Sequence, residues 1–362
     1  LAGIALAFAV LRVLLAQAPA NLPRLDSVSI DLRVLGITAL AALVAGIVFG
    51  LVPALQALGV EPQTALTAEG GGRATGGVTA QRTRTALVVA EMALAVVLVT
   101  GAGLLIQTLW QIQQVDTGFS SAGVLKAEFQ LPSSRYPTDF RVFPDFKEQH
   151  AFNRALLEAA RALPGVSAAA IAGNHPLDPG FTNSFGIVGR RDERFPEISI
   201  RRVSPGYFDT VGLSVARGRA LAGSDATTGT PVVLLNETAA ARLFGTRDPL
   251  GEQVSFWGVD RTIVGITRDE RFQGVTAPSP IAVYVPLSQA PSGTGAGVLL
   301  LRTTLDPTTL ATSATRVIHD RDPQLAVFGV EPLTDTFSRS IGEQRFATLL
   351  LGVFAAMALL LA

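Results

Sequence analysis

Four stretches of the chain stay apolar for about the length a bilayer requires, and they lie toward its two ends. A hydrocarbon core about 30 Å thick takes about 20 helical residues to cross. Val34 to Val60 carries no charge, and predicts a membrane span over 32–55 with Pro53 near its end. Ala86 to Trp110 is interrupted only by Glu91 and predicts a second full span, over 85–110. Leu1 to Leu15 and Phe346 to Ala362 each fall a little short. They read as truncated spans over 1–16 and 345–362, so the sequence reads as the middle of a longer protein. Arg12, near the end of the first, can snorkel to the interface. A secretory leader is the alternative for the start, but neither a basic leader nor a clear cleavage site supports it.

Between the first two spans lies a short loop, 17–31, with Pro19, Pro23 and Asp26. Residues 56–84 predict a flexible linker, because Gly70 to Gly77 is rich in glycine and threonine. Cytoplasmic loops collect Lys and Arg. The linker carries Arg73, Arg82 and Arg84, against Arg24 and Arg33 around the first loop. This balance places the linker in the cytoplasm, and the short loop and the large middle segment outside it.

That middle segment, 111–344, alternates strand and helix signals. Val124 to Leu131 reads as a strand. Phe146 to Leu163 reads as an amphipathic helix with Phe152, Leu156, Ala160 and Leu163 on one face, stopped by Pro164-Gly165. Further strands are predicted at Ser184 to Val188, Glu197 to Val203, Pro231 to Leu235, Ile281 to Val285, Val298 to Thr303 and Gln324 to Val330. Asn236 is placed to cap a helix from Glu237 to Phe244, closed by Gly245. Val254 to Trp257 and Thr262 to Ile266 predict a hairpin around Gly258-Val259-Asp260. Asp306-Pro307 starts a helix reaching about Asp320. The fold class is therefore α-helical membrane segments plus an α+β extracytoplasmic domain, in one body or two lobes.

Composition agrees with that division. Only 16% of residues are charged, against about 25% in soluble proteins, and the deficit is concentrated in the apolar ends. The 29 basic and 29 acidic residues cancel, so no net field invites nucleic acid. Cysteine is absent, which excludes disulfides, thiolate metal sites and a cysteine nucleophile.

Little in the sequence points to catalysis. Gly70-Gly71-Gly72 lacks the Gly-Lys-Ser/Thr ending of a phosphate loop, so ATP, if it drives this protein, is hydrolysed by another chain. His150, His175 and His319 have no partner at metal-ligand spacing, and no Gly-x-Ser-x-Gly elbow is present. The expectation is a non-enzyme with no cofactor and no metal. Glu91 is the one acid inside a full span. It reads as a structural residue reaching the interface or pairing with Arg82 or Arg84, or alternatively as part of a transport path. Gly46 and Gly50 form a GxxxG spacing that suits close helix packing or reflects ordinary glycine tolerance. Phe119, Tyr207, Phe208, Phe244 and Phe272 read as core of the middle domain, with an apolar binding surface as the alternative.

The order helix, short loop, helix, linker, helix, α+β domain, helix resembles the MacB/FtsX-type permeases of ABC transporters. It resembles most their duplicated variant, the acidobacterial-type orphan permease group. Several stretches carry the resemblance: Phe49-Gly50-Leu51-Val52-Pro53, Val88-Val89-Ala90-Glu91-Met92, Val115-Asp116-Thr117-Gly118-Phe119, Leu163-Pro164-Gly165-Val166 and Val203-Ser204-Pro205-Gly206-Tyr207-Phe208. Asn236-Glu237-Thr238-Ala239, Asp248-Pro249-Leu250-Gly251, Ile263-Val264-Gly265-Ile266, Tyr284-Val285-Pro286 and Arg345-Phe346 continue it. The resemblance implies a multi-pass protein of the inner membrane with a periplasmic MacB-like core domain. It also implies a linker joining two permease units and an ABC ATPase acting in trans. Export of a substrate, or force transmission to a periplasmic partner, would follow. A membrane-anchored ligand sensor without transport is the competing reading, and an envelope hydrolase a third.

Overall fold

The computed structural model describes residues 75–361 except 138–142, 144–145, 191–192, 226–228 and 292–294, together with 12, 33, 36–44 and 47. Two compact units result: one of residues up to Gln113 with Gly342–Ala362, the other Gln114–Ile341.

The first unit is helical. Helix α1, Thr75–Gln113, runs 39 residues and begins ten residues before the expected 85, so the distal part of the predicted linker is helix. The physical reason is local composition: Val78 to Thr85 holds no proline, and its Ala, Gln and Arg residues favour helix. Extending an existing helix also avoids the cost of a new nucleus. Within α1, Val88–Ile112 is the one helix among the described residues that is by itself long and apolar enough to cross a membrane. Its Thr100 and Thr108 hydroxyls donate to the carbonyls of Val96 and Leu104, 2.7 and 2.9 Å away, which satisfies the only hydroxyl groups of that apolar stretch. Helix α7, Gly342–Leu361, packs on α1, where a Cβ added at Gly101 would sit 3.3 Å from Leu351 Cδ2. Residues 36–44 are helical. The predicted span 1–16, the loop 17–31, and Gly46 and Gly50 within the span 32–55 lie, almost entirely, outside the described residues; of 1–31 only Arg12 is described.

The second unit is an α+β domain. Its strands are β1 Val124–Gln130, β2 Val166–Ala172, β3 Phe181–Asn183, β4 Gly186–Ile187, β5 Ile198–Val203 and β6 Val215–Gly218. They continue with β7 Val232–Asn236, β8 Gln253–Phe256, β9 Val259–Thr267, β10 Ala282–Pro286, β11 Ala296–Thr303 and β12 Ala326–Pro332. The helices are α2 Lys147–Arg161, α3 Tyr207–Val211, α4 Glu237–Phe244, α5 Ala311–His319 and α6 Leu333–Ser340. One twelve-stranded sheet runs β12-β1-β11-β2-β5-β10-β7-β9-β8-β4, with β3 paired to β5 and β6 to β9. Its first four strands are antiparallel. The remainder is mixed, with parallel pairs β10–β5 and β7–β9.

Three apolar clusters fill the domain. Helices α2 and α5 close one face of the first half over Phe129, Leu156, Ile171 and Leu299. Helix α3 lies on the opposite face, over Val124, Ala172, Tyr207, Tyr284 and Leu300. Helix α4 covers the second half over Ile200, Val233, Leu243 and Val283. The last four β1 residues show the inside/outside alternation expected of a strand, whereas β5, β7 and β10 are buried on both faces.

Most predicted elements appear within two residues of their expected ends. The hairpin is a correction. Its turn is Trp257-Gly258, earlier than predicted, with φ of 56° and 71° at the two residues. A two-residue turn with both φ positive matches strand twist, and Phe256 then pairs with Val259. Trp257 accepts this backbone because its ring packs on Phe256 and Phe181, at centroid distances of 5.0 and 6.1 Å. The strand expected at Ser184 to Val188 is shorter, as β4, and β3 precedes it.

Candidate functional site

The sheet has a weak point at its centre. Strands β11 and β2 match over six residue pairs, and β10 and β5 over five. Between them β2 and β5 share one pair, Ala172 with Val203. Two backbone bonds flank it: Gly173 N–H to Arg202 O and Ser204 N–H to Ile171 O, both 2.8 Å. The Ser204 hydroxyl adds a third by accepting from Ile171 N–H at 2.8 Å. Gly173 leaves room for the Arg202 guanidinium, since a Cβ there would lie 2.7 Å from Arg202 Nη2. Such a seam joins two half-sheets with few ladder bonds.

Charge reinforces what the ladder lacks. Arg201 on β5 is buried, with Nη1 donating to Asp178 O at 2.6 Å and Nη2 to His175 O at 3.0 Å, both on the loop after β2. It therefore ties the second half to the first. Its guanidinium lies over the Phe272 ring, 4.6 Å from the centroid, and 3.6 Å from Glu270 Oε1. Glu270 is wholly buried. It accepts from Tyr207 OH at 2.9 Å on one oxygen and from Tyr284 OH at 2.7 Å on the other. Burial, the largest influence, disfavours the Arg201 charge, but Glu270 together with Tyr207 and Tyr284 outweighs it and holds the guanidinium protonated. Burial, then the Glu270 charge, pushes both tyrosines well above their ordinary range, so they remain donors.

Two further arginines are buried with no carboxylate within ion-pair distance among the described residues. Arg261 donates to the carbonyls of Phe256, Val259 and Gln289 at 2.8, 3.1 and 3.0 Å. Arg202 donates to Pro291 O at 3.3 Å. Burial lowers each to about 10. His175 is drawn down to about 4, first by burial and then by Lys126, and its Nδ1 accepts from Leu177 N–H at 3.2 Å.

A second charged cluster sits at the β12 edge. Lys126, nearly buried on β1, pairs with Glu128 and lies 3.2 Å from Glu331 on β12. Glu331 also takes a two-pronged pairing from Arg339 on α6 and a hydroxyl from Thr336 at 2.9 Å. Its carboxyl is lowered to about 2, with Arg339 the largest cause.

The residues singled out from sequence land apart from this network, with three exceptions, Tyr207, Phe272 and His175, whose carbonyl accepts from Arg201. Glu91 is exposed on α1, and Gly46 and Gly50 are outside the described residues. Phe119, Tyr207, Phe208, Phe244 and Phe272 are all buried core, so they form no apolar surface; Tyr207 and Phe272 join the Arg201 cluster. His150 lies on α2, His319 ends α5 and His175 lies on the loop after β2. Arg201 and Glu270 went unremarked in the sequence, and Tyr284 figured only in a stretch that carries the resemblance. The available signal was Arg201-Arg202 in a strand that has no polar face.

A family model described as the MacB-like periplasmic core domain matches residues 85–320. The macrolide export ATP-binding/permease protein MacB of Aggregatibacter actinomycetemcomitans is 30% identical over 107 residues, which are 30% of this chain and 16% of that protein. The chain thus matches only a small part of this curated relative's length. Among solved structures, the periplasmic region of MacB from Actinobacillus actinomycetemcomitans is 16% identical, with a TM-score of 0.42 over 64% of this chain and 97% of that one. The extracellular domain of the noncanonic ABC-type transporter YknZ from Gram-positive bacteria is also 16% identical, with a TM-score of 0.37 over 57% and 100%. The matched span takes in the apolar part of α1 and the domain up to the end of α5, well over half of the sequence, and the chain belongs to the MacB-like periplasmic core domain family.

Proposed function

We propose that this chain is part of the permease component of an ABC-type complex, with its α+β domain outside the cytoplasm and ATP hydrolysed by a separate subunit. The observation that carries the reading is that the family match begins inside α1, so the apolar helix and the domain after it form one continuous family unit. The relative MacB is itself named as an ATP-binding/permease protein. On this reading ATP binding shifts the membrane helices between arrangements of different free energy, and the domain receives that shift as export or as force. The bilayer is the first partner. A periplasmic protein or a substrate is the second.

The remaining assignments belong to the same proposal. Residues 1–16, 32–55, 85–110 and 345–362 cross the membrane, and 56–84 lie in the cytoplasm. The first two spans close one permease unit and the rest opens a second, as in the duplicated group. Gly46 and Gly50 pack against a neighbouring helix, and Glu91 reaches the interface as a structural residue.

The test is to tag the full-length protein, solubilise membranes gently and ask whether an ATP-binding subunit co-purifies. A partner whose hydrolysis rate changes on binding supports the proposal. ATP hydrolysis by the tagged chain itself would overturn the separate subunit. No hydrolysis in several mild detergents would favour a ligand sensor instead.

A further inference from the structure

On one face of the β2–β5 seam, α3 and its apolar cluster seal the junction. The opposite face is only partly covered among the described residues. There a cleft of about 680 Å³ runs between α2 of the first half and the segments around Ser204, Gly223 and Ser288 of the second. We propose that this cleft binds an amphipathic organic anion, and that the bound molecule clamps the two half-sheets together.

Three features of the cleft define the ligand. Its floor is apolar, from Leu157 on α2, Ile171 on β2 and Leu287 after β10, so it accepts a hydrocarbon or aromatic body. Arg154 lines it and makes no ion pair or hydrogen bond among the described residues; Glu158, one turn further along α2, is not within ion-pair distance. The other acid on the wall, Asp225, is already held by Arg219 through bonds of 2.7 and 2.9 Å. Arg161 also lines the cleft, with Nη2 donating to Pro205 O at 3.0 Å and no carboxylate within ion-pair distance among the described residues, so Arg154 and Arg161 outweigh Glu158 and the balance is positive. Asn153 also lines the cleft, and its Oδ1, just beneath the surface, has no hydrogen-bond partner among the described residues. A buried acceptor left unpaired costs free energy that a ligand hydroxyl or N–H would recover.

The placement gives the clamp. Ile171 and Ser204 bond to each other across the seam and both line the cleft. A molecule resting on them touches both halves where fewest backbone bonds join them. The proposal concerns the domain alone and stands whether or not the permease reading does.

The probe is 6-hydroxynaphthalene-2-sulfonate, which carries one flat apolar body, one anionic group and one hydroxyl. It is titrated calorimetrically into the full chain in lipid nanodiscs, with empty nanodiscs as reference. One saturable site is expected, with Kd on the order of 0.1 mM for a ligand of this size. Gly223→Phe and Ala151→Trp fill the cleft from its rim, and nothing lies within 4 Å of a Cβ at 223. Each is expected to weaken binding about tenfold. Arg154→Glu weakens it several-fold, and naphthalene-2-sulfonate, lacking the donor, binds more weakly than the probe. At saturation the amides of Gly173 and Ser204 exchange hydrogen more slowly, while those at the centre of β7 are unchanged. The β7 amides also report that each variant is folded. Heat no greater than that of empty nanodiscs, or binding undiminished in both filled variants, would overturn the proposal. So would unchanged exchange at Gly173 and Ser204 under saturating probe.

Discussion

Glu270→Gln is the sharpest test of the buried charge network. The substitution keeps shape and hydrogen-bonding capacity but removes the one carboxylate within ion-pair distance of Arg201 among the described residues. At 3.6 Å, and at an effective dielectric of about 20, that attraction is about 5 kcal/mol before desolvation. Arg201 retains its bonds to Asp178 O and His175 O and the Phe272 face, so part of its solvation survives. One tyrosine must also turn, because the amide presents a donor where Glu270 presented an acceptor. Removing one member of a buried pair costs about 3–5 kcal/mol, whereas replacing both by apolar residues is often close to neutral. Glu270→Gln is therefore expected to destabilise the domain by about 3 kcal/mol or more, and adding Arg201→Met to it is expected to cost less than the sum of the two single variants, because the second charge then leaves with the first. Urea unfolding of the full chain in nanodiscs, followed by Trp257 fluorescence in a Trp110→Phe background, measures both. A Glu270→Gln loss below about 1 kcal/mol, or a double variant that costs the full sum of the two singles, would refute the reasoning.

Three other outcomes rest on particular contacts. His175 is lowered to about 4 while its ordinary value is 6.5, so the unfolded chain takes up the proton first. Domain stability is then expected to fall as pH drops from 6.5 to about 4, by up to about 3 kcal/mol, and His175→Gln should flatten that slope in urea titrations at each pH. Asn236→Ala removes a cap whose Oδ1 accepts from Ala239 N–H and Ala282 N–H and whose Nδ2 donates to Asp269 and Pro280; a loss of about 2 kcal/mol or more is expected in the same assay. Arg339→Ala should raise the Glu331 carboxyl from about 2 toward its ordinary range, read by carboxyl-carbon NMR titration. The stability of that pair is present above the unfolded value near 4.5 and is lost as pH falls toward 2, so an unchanged Glu331 midpoint would count against the pairing.

Elements with strong local signals were legible in the sequence. Asn236 and Gly245 bound α4 as read, and Asp306 accepts from Thr308 N–H at the next helical turn, which opens as a 3-10 segment before α5. Strand β2 was not legible, because Val166-Ser-Ala-Ala-Ala-Ile-Ala172 is alanine-rich and alanine has weak strand preference. Its small side chains make sense only in place, where three layers crowd it: β11, β5 and the helices α2 and α3. Helix α3, five residues between left-handed Gly206 and Gly212, is likewise too short to carry a periodic signal. The candidate site was hidden for a different reason. Arg201, His175, Glu270 and Tyr284 are far apart in sequence, and each reads alone as an ordinary surface or strand residue. Only the sheet order, in which β5 lies beside both β2 and β10, brings them together.

That arrangement explains why the seam is held by charge rather than by a longer ladder. A full β2–β5 ladder would fix the two half-sheets through many similar bonds, each replaceable by its neighbour after a slip. An arginine held by two carbonyls, a ring face and a carboxylate has one geometry that satisfies it, and displacing it leaves a charge buried and unpaired. The junction therefore has a steep penalty for small displacements but few bonds to remake after a large one. Under the permease reading, this is the property a domain needs if helix motion is to move one half against the other between discrete positions. A ligand in the cleft would then oppose that motion where the backbone opposes it least.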